Sequence, residues 1–359
     1  MDSVIQSFGP THYIQYPGAL DKVGREAAFL GKRAFLLAGE TAWSKTGEKI
    51  VQSLCQNGIT HDLHLFYGYC SQNNVEKIED LAVTHEAQII IGIGGGKVMD
   101  TAKSVADRLN LPCITVPTSV ATCAAYAQLC VWYDDNGACR PGMTAKEPCA
   151  ALILDSSLII KDCPVRLTAS GIADALAKYP ELDYNVSLFP LNGKNEAFEV
   201  AKTVAKRNFD FLITNSENAL SDIRDGRLTN CCEDVLRSTM AMTGLASSLV
   251  AGVRQLAVAH MLYNAVATLY KRSRDTYYHG EIVSCGIVLQ LYANDYDNKT
   301  IEYVTSFLQS IGTPTCLSEI GIEPNEKNSN TILNYIFSNG FNDPIVQQRI
   351  LSGFARIQH

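Results

Sequence analysis

Short apolar runs alternate with longer amphipathic stretches through the first part of the chain. Ala34–Ala38, Leu63–Phe66, Gln88–Ile93, Cys113–Val116 and Ala150–Leu154 have the length and composition of buried strands. Between them apolar positions recur at helical spacing, most clearly from Lys97 to Leu109, where Val98, Met99, Ala102, Val105, Ala106 and Leu109 share one face. Strand and helix in alternation predict a mostly parallel sheet covered on both sides. One interruption is expected: Ala127–Tyr133 reads as a strand, and Asn136-Gly137 after it favours a tight hairpin.

After Asp155 the strand pattern nearly vanishes and helical patterns take over, as in Glu233–Val250, Gln255–Leu269 and Ile282–Tyr292. Asp162-Cys163-Pro164 breaks the pattern, which places a boundary near residue 160. Residues 1–160 therefore read as an α/β domain and 161–359 as an all-α domain. The polar stretch Asn215–Thr229 reads as a surface connection. No internal repeat or low-complexity tract points to a solenoid or a linker-rich scaffold.

A chain of 359 residues exceeds the size at which one core stops growing, and 47% hydrophobic against 19% charged residues supplies material for more than one. The formal charge of −7 provides no basic face for nucleic acid. No apolar run reaches the ~20 residues of a membrane span, and the start, MDSVIQSFGP, has neither a basic leader nor an apolar core, so a cytoplasmic location is expected. The 12 cysteines show no C-x-x-C spacing and read as reduced, mostly buried thiols. Cys231 and Cys232 are neighbours on a helix, where they point in different directions.

Candidate chemistry begins where Ile89-Ile90-Ile91 runs into Gly92-Ile93-Gly94-Gly95-Gly96-Lys97 and then into an amphipathic helix. Glycines without Cβ let backbone N–H groups approach an anion, and the positive end of the helix dipole faces the same point. Lys97 adds a full charge. The motif departs from G-x-G-x-x-G, whose third glycine is Lys97 here, and from a P-loop, whose first glycine and Ser/Thr positions hold Ile91 and Val98. A phosphate cradle is expected.

Two histidines stand among apolar and aromatic residues of the helical half, His260 in LAVAHMLYN and His279 in YYHGE. Asp174 lies in the small-residue stretch GIADALA, where a carboxylate is costly unless it is paired or ligating. Asp plus two His suits zinc or a related divalent ion and leaves a position open. Each residue alone has a commoner fate, a hydrogen-bonded core histidine or a helix-capping aspartate.

Taken together, GGGK-x-x-DTAK at 94–103, Val116-Pro117-Thr118, G-x-x-DALAK at 171–178 and His279-Gly280-Glu281 resemble the glycerol dehydrogenase family, within the iron-containing alcohol dehydrogenase and dehydroquinate synthase-like superfamily. The resemblance runs in order from about residue 30 to 295. It implies that the glycine turn binds a cofactor pyrophosphate, that Asp174, His260 and His279 hold the metal, and that Asp100, Thr118, Leu129 and Tyr133 belong to the cofactor site. The iron-dependent branch has a further histidine four residues after the aspartate. Lys178 stands there instead, which favours a three-ligand, zinc-type site.

Several positions depart from that pattern. Ala121 and Ala127 replace serines of the cofactor stretch, and Tyr263 stands where many glycerol dehydrogenases have another histidine. Cys123 replaces an aspartate that faces the substrate, and the surrounding segment looks more like a hydroxycarboxylate dehydrogenase branch, with Arg254 as a possible carboxylate partner. Pro180 is expected to kink or end the helix carrying Asp174. Glu40, after the first predicted strand, can accept the ribose hydroxyls of NAD and repel the 2′-phosphate of NADP.

The expectation is a metal-dependent, NAD(P)-linked dehydrogenase of a small alcohol or polyol, working as a homo-oligomer with one divalent metal per chain. A hydroxycarboxylate dehydrogenase is the alternative. Of other classes, a dehydroquinate synthase-like lyase and a binding protein that lost its chemistry remain.

Overall fold

The computed structural model describes residues 8–188, 196–250 and 256–359. The first half alternates as expected: β1 (His12–Tyr16), α1 (Val23–Ala28), β2 (Arg33–Ala38), α2 (Glu40–Gln56), β3 (Thr60–Leu65), α3 (Gln72–Thr84), β4 (Ile89–Gly94), α4 (Gly96–Leu109) and β5 (Cys113–Pro117). A hairpin of β6 (Leu129–Tyr133) and β7 (Cys139–Thr144) follows, then β8 (Ala151–Asp155). The hairpin is antiparallel and separate from the main sheet. It closes on the predicted turn: the Asp134 carboxylate accepts from the Asn136 and Ala138 N–H groups, and Gly137 takes φ +86°.

The main sheet has the order β1-β8-β5-β4-β2-β3, with every neighbouring pair parallel. Alternation along β4 explains its two-sided burial. Ile90 packs with Val75, Ile78, Met99 and Ala102 from α3 and α4, whereas Ile89, Ile91 and Ile93 pack with Ile50 and Leu54 of α2 on the opposite face. Chain direction therefore reverses between β2 and β4, because α2 leads outward to β3 on one side and α4 to β5 on the other. In open α/β sheets, such a switch point opens a crevice at the carboxyl ends of its strands.

β1 is the strand that the apolar pattern does not announce. His12–Tyr16 is polar and aromatic, and it pairs along its whole length with β8 as a half-buried edge.

From β8 onward every described element is helical: α5 (Ser156–Asp162), α6 (Val165–Leu188), α7 (Glu196–Arg224), α8 (Asn230–Arg237), α9 (Thr243–Leu249), α10 (Val258–Leu269), α11 (Lys271–Thr276), α12 (His279–Ala293), α13 (Asn298–Ser310), α14 (Glu326–Ser338) and α15 (Pro344–Arg356). Among the described residues no helix is long and apolar enough to cross a membrane. The helix α12 is apolar all round because it is buried all round, from Gly280 to Leu291.

The structure refines three expectations. The stretch Asn215–Thr229 is not a connection throughout, since α7 continues to Arg224. Ser216, Ala219, Leu220 and Ile223 are buried at helical spacing, and the polar residues between them face solvent. The pattern from Glu233 to Val250 is one helical path, but a π-helical turn at Ser238–Met242 divides it into α8 and α9. Pro180 does not end α6, which runs on to Leu188. Proline in a helix interior costs ~3 kcal/mol, and the buried Leu176, Ala177, Glu181 and Leu182 hold the turns on either side of it in place.

Candidate active site

Two close backbone approaches link α6 to the sheet and α12 to α6. A Cβ on Gly171 of α6 would lie 1.9 Å from the Val120 carbonyl oxygen, in the loop after β5. One on Gly280 of α12 would lie 1.8 Å from the Ser170 carbonyl oxygen, and the Gly280 N–H donates to Ser170 Oγ at 3.0 Å. Glycine is required at both positions. Their contacts place the start of α12 on α6, and α6 on the carboxyl edge of the sheet.

The start of α12 is further fixed by Glu281. This buried carboxylate accepts from Arg166 Nε at 2.6 Å and Nη2 at 2.8 Å, and from the Tyr278 N–H at 2.8 Å. His279 is thereby presented as the first residue of its helix.

Asp174 of α6, His260 of α10 and His279 of α12 converge. Asp174 Oδ1 lies 3.0 Å from His279 Nε2 and 3.3 Å from His260 Nε2, and one ligand atom from each residue lies within 4.8 Å of the others. Burial disfavours the charged Asp174 carboxylate, but the two imidazoles overcome it and hold the group well below the usual carboxylate range. Burial likewise works against a charged His260, and the Glu181 and Asp174 carboxylates outweigh it, raising the imidazole to about 9.

Glu181 is the residue that the sequence analysis misses. It is fully buried on α6, and its Oε2 lies 2.7 Å from His260 Nδ1. Its Oε1 accepts from the His260 and Ala257 N–H groups at 2.9 and 2.8 Å. A carboxylate on Nδ1 fixes the tautomer and turns the Nε2 lone pair toward Asp174 and His279, the outer-shell arrangement of metal-binding histidines. The donor set therefore fits a divalent ion. Glu181 is seven residues from Asp174 on one helical face, a spacing that an expected helix end at Pro180 conceals.

The cluster opens into a cavity of about 660 Å³ between the sheet edge and the helices. The glycine turn forms its other end. Gly94 takes φ +152° at the end of β4, and α4 starts at Gly96 without a side-chain cap on its N–H groups. Gly95 and Gly96 line the cavity, facing Ser119 and Thr122, where added Cβ atoms would come within 3.7 and 3.3 Å of those hydroxyls. Uncapped N–H groups at the start of a helix beside open space suit a phosphate.

The other predicted positions divide. Asp100, Leu129, Tyr133 and Cys123 line the cavity with Lys97. Asp100 is buried and lies 3.1 Å from Lys103, whose ammonium donates to the Ala127 and Leu129 carbonyls at 2.7 and 2.8 Å and so secures the approach to β6. Lys97 lies 4.0 Å over the Tyr69 ring, and burial together with Arg274 lowers its pKa. Gly94 and Thr118 shape the turn from behind, with the Thr118 N–H donating to the Gly94 carbonyl at 3.0 Å. Glu40 is exposed at the start of α2, outside the cavity lining, next to Gly39, whose N–H donates to Ile93 at 3.1 Å. Tyr263 sets its ring edge-on to His279 at 4.1 Å, and its hydroxyl is 3.4 Å from that of Tyr133. Arg254 lies outside the described residues.

Both the sequence and the fold of this chain have relatives among known proteins. The family model for iron-containing alcohol dehydrogenase matches residues 10–156. An uncharacterized oxidoreductase of Synechocystis sp. is 30% identical over 89% of this chain and 81% of its own length. The chain belongs to the iron-containing alcohol dehydrogenase family. Two further relatives are 29% identical: the glycerol dehydrogenase of Thermotoga maritima, over 88% of this chain and 84% of that protein, and hydroxycarboxylate dehydrogenase A of Escherichia coli, over 89% and 86%. The crystal structure of glycerol dehydrogenase from Schizosaccharomyces pombe superposes with a TM-score of 0.84 at 26% identity, covering 99% of this chain and 91% of that one. The protein is an oxidoreductase with the family's fold.

Proposed function

We propose that this member of the family is a metal-dependent, NAD-linked dehydrogenase of small alcohols and their carbonyl partners, similar to glycerol dehydrogenase. The observation that carries this reading is the single cavity joining the glycine turn to Asp174, His260 and His279. In this assignment residues 1–160 bind the dinucleotide and residues 161–359 bring the metal and substrate to it. The pyrophosphate sits on Gly95, Gly96 and the start of α4, Leu129 and Tyr133 bound the nicotinamide end, and Glu40 receives the adenosine ribose.

The cluster holds one divalent ion, with zinc first. Two imidazoles and one carboxylate suit it, and Lys178 stands on the helical turn where a fourth protein ligand would be. Such an ion supplies Lewis-acid polarisation of the substrate oxygen, as the nicotinamide supplies hydride chemistry. The residues of the chain do the positioning. Glu181 orients His260, the Arg166–Glu281 pair sets the first turn of α12, and Tyr263 buttresses His279 edge-on. The apolar walls contributed by Leu129, Val131, Leu167 and Leu256 limit the water that reaches the site.

The test is a screen of alcohols, polyols and 2-oxo acids followed at 340 nm with either nucleotide. Net formation or consumption of NADH is expected. Turnover that leaves the NADH level unchanged would favour a lyase of the dehydroquinate synthase type, and inertness of the metal-loaded protein with every substrate would end the reading.

A further inference from the structure

A second cavity, of about 480 Å³, opens at the amino edge of the sheet, away from the cleft. Its rim is exposed at Thr11, Asn110, Lys146 and Glu147. Its wall includes Cys113 at the start of β5 and Cys149 in the segment that enters β8. The dehydrogenase reading uses neither thiol.

Strand pairing brings these cysteines together. Ile114 of β5 pairs in register with Ala151 of β8, and one step back the Ala150 N–H donates to the Cys113 carbonyl at 2.8 Å. A strand spacing of ~4.8 Å and one residue's rise of ~3.3 Å put the Cys113 and Cys149 Cα atoms roughly 6 Å apart, a separation that a disulfide spans. Regular alternation would send the two side chains to opposite faces, but the chain bends at Ala150. Cys113 and Cys149 therefore pack in the same core, on the α3–α4 side, while Ile114 and Ala151 pack on the other. Both carry free thiols and keep a little exposure, 6% and 4%.

Electrostatics divide the pair. The Cys113 thiol donates to the Cys149 sulfur, which draws Cys149 below the usual thiol range against burial, and the Lys103 ammonium adds to the effect. The same hydrogen bond, with burial, holds Cys113 well above that range. Burial by contrast pushes Cys70 and Cys130 up to about 12. Lys103 reaches the wall of the second cavity from α4. A sulfur that ionises readily near a cation, with a protonated thiol beside it, has the features of a peroxide-reactive cysteine and its resolving partner.

We propose that Cys113 and Cys149 are a redox modification site, oxidised to a reversible disulfide by hydrogen peroxide or a small organic hydroperoxide that enters the second cavity. The site stands independently of the dehydrogenase reading. Cys149 attacks one peroxide oxygen, the O–O bond breaks, and the departing hydroxide takes up the proton that Cys149 gave up. Cys113 then attacks the sulfur of the resulting sulfenic acid. The S–S bond forms, the S–O bond breaks, and the Cys113 proton leaves with the second hydroxide. Two thiols lose two electrons, and one hydrogen peroxide becomes two waters.

The experiment exposes the full-length, metal-loaded protein, reduced and freed of reductant, to hydrogen peroxide. Remaining thiols are alkylated after denaturation, and linked peptides are mapped by mass spectrometry over time. Wild type should form a Cys113–Cys149 link that dithiothreitol reverses, at least about tenfold faster than Cys70 or Cys130 loses its thiol. C113S, lacking the resolving thiol, should accumulate a Cys149 sulfenic acid that dimedone captures. C149S should form neither product, and thermal unfolding checks that both variants fold. Wild type in which Cys113 and Cys149 remain alkylatable after Cys70 or Cys130 has been oxidised would overturn the proposal. So would a C149S protein whose Cys113 is oxidised as fast as in wild type. If a serine variant does not fold, the wild-type map and its rates decide alone.

Discussion

Replacing Glu181 by glutamine tests whether the cluster is built for a metal or is merely a buried ion-pair network. Three hydrogen bonds end on this carboxylate: the His260 ring at 2.7 Å and the His260 and Ala257 backbone N–H groups at 2.9 and 2.8 Å. The glutamine oxygen can still accept from both backbone groups, so the start of α10 should survive. Its NH2 group cannot accept from His260 Nδ1. The imidazole then favours the other tautomer, with a proton on Nε2 facing Asp174 where the ion is held. Loss of an outer-shell carboxylate costs about 10–100-fold in metal affinity, or ~1.4–2.8 kcal/mol. By contrast, E181A strands two buried N–H donors at roughly 1–3 kcal/mol each and should lower the melting temperature as well. Zinc affinity by competition with a chelator, with thermal unfolding of the same samples, separates the two effects. An E181Q protein that binds zinc as tightly as wild type would refute the orienting role.

Three further outcomes are expected. G280A, whose Cβ would sit 1.8 Å from the Ser170 carbonyl oxygen, should displace the start of α12 at a cost of about 3 kcal/mol, seen as a lower melting temperature together with weakened zinc binding. The wild type should prefer NAD to NADP, and E40A should reduce the preference measured as the ratio of kcat/KM values; an unchanged ratio would remove Glu40 from the ribose site. C123D should damage 2-oxo acids more than neutral ketones, by on the order of tenfold if repulsion reaches ~1.4 kcal/mol, whereas equal damage would mean that Cys123 matters through packing.

What could be read from the sequence followed from how local each signal is. The parallel strands β2, β3, β4, β5 and β8 were legible because each holds a short apolar run beside a flanking helix, and the hairpin because Asn136-Gly137 names its turn. β1 was not legible, since a half-buried edge strand such as HYIQY owes its place to pairing with β8. The course of α6 through Pro180 was hidden for a related reason: packing on Leu176 and Leu182 overrides a local penalty. The extent of α7 was obscured by a solvent face rich in Asn, Ser and Asp.

At the site, Asp174, His260 and His279 carried signatures of their own, as charged or imidazole groups within apolar helices. Family resemblance then joined residues that no spacing connects. Glu181 gains its meaning only from a partner on another element, His260 of α10. Glu40 shows the converse. Its signal is local, at the end of a strand, while in the fold it stands at an exposed helix start next to the glycine turn.

The most direct test of the account is the metal content of purified protein, by elemental analysis after removal of loosely held ions, for wild type and for D174A, H260A and H279A. About one divalent ion per chain is expected in wild type, from one open three-ligand site. Each variant should lose it while its nucleotide-binding half still folds and takes up NADH. Wild-type metal content in all three variants would contradict the claim that Asp174, His260 and His279 form the catalytic metal centre.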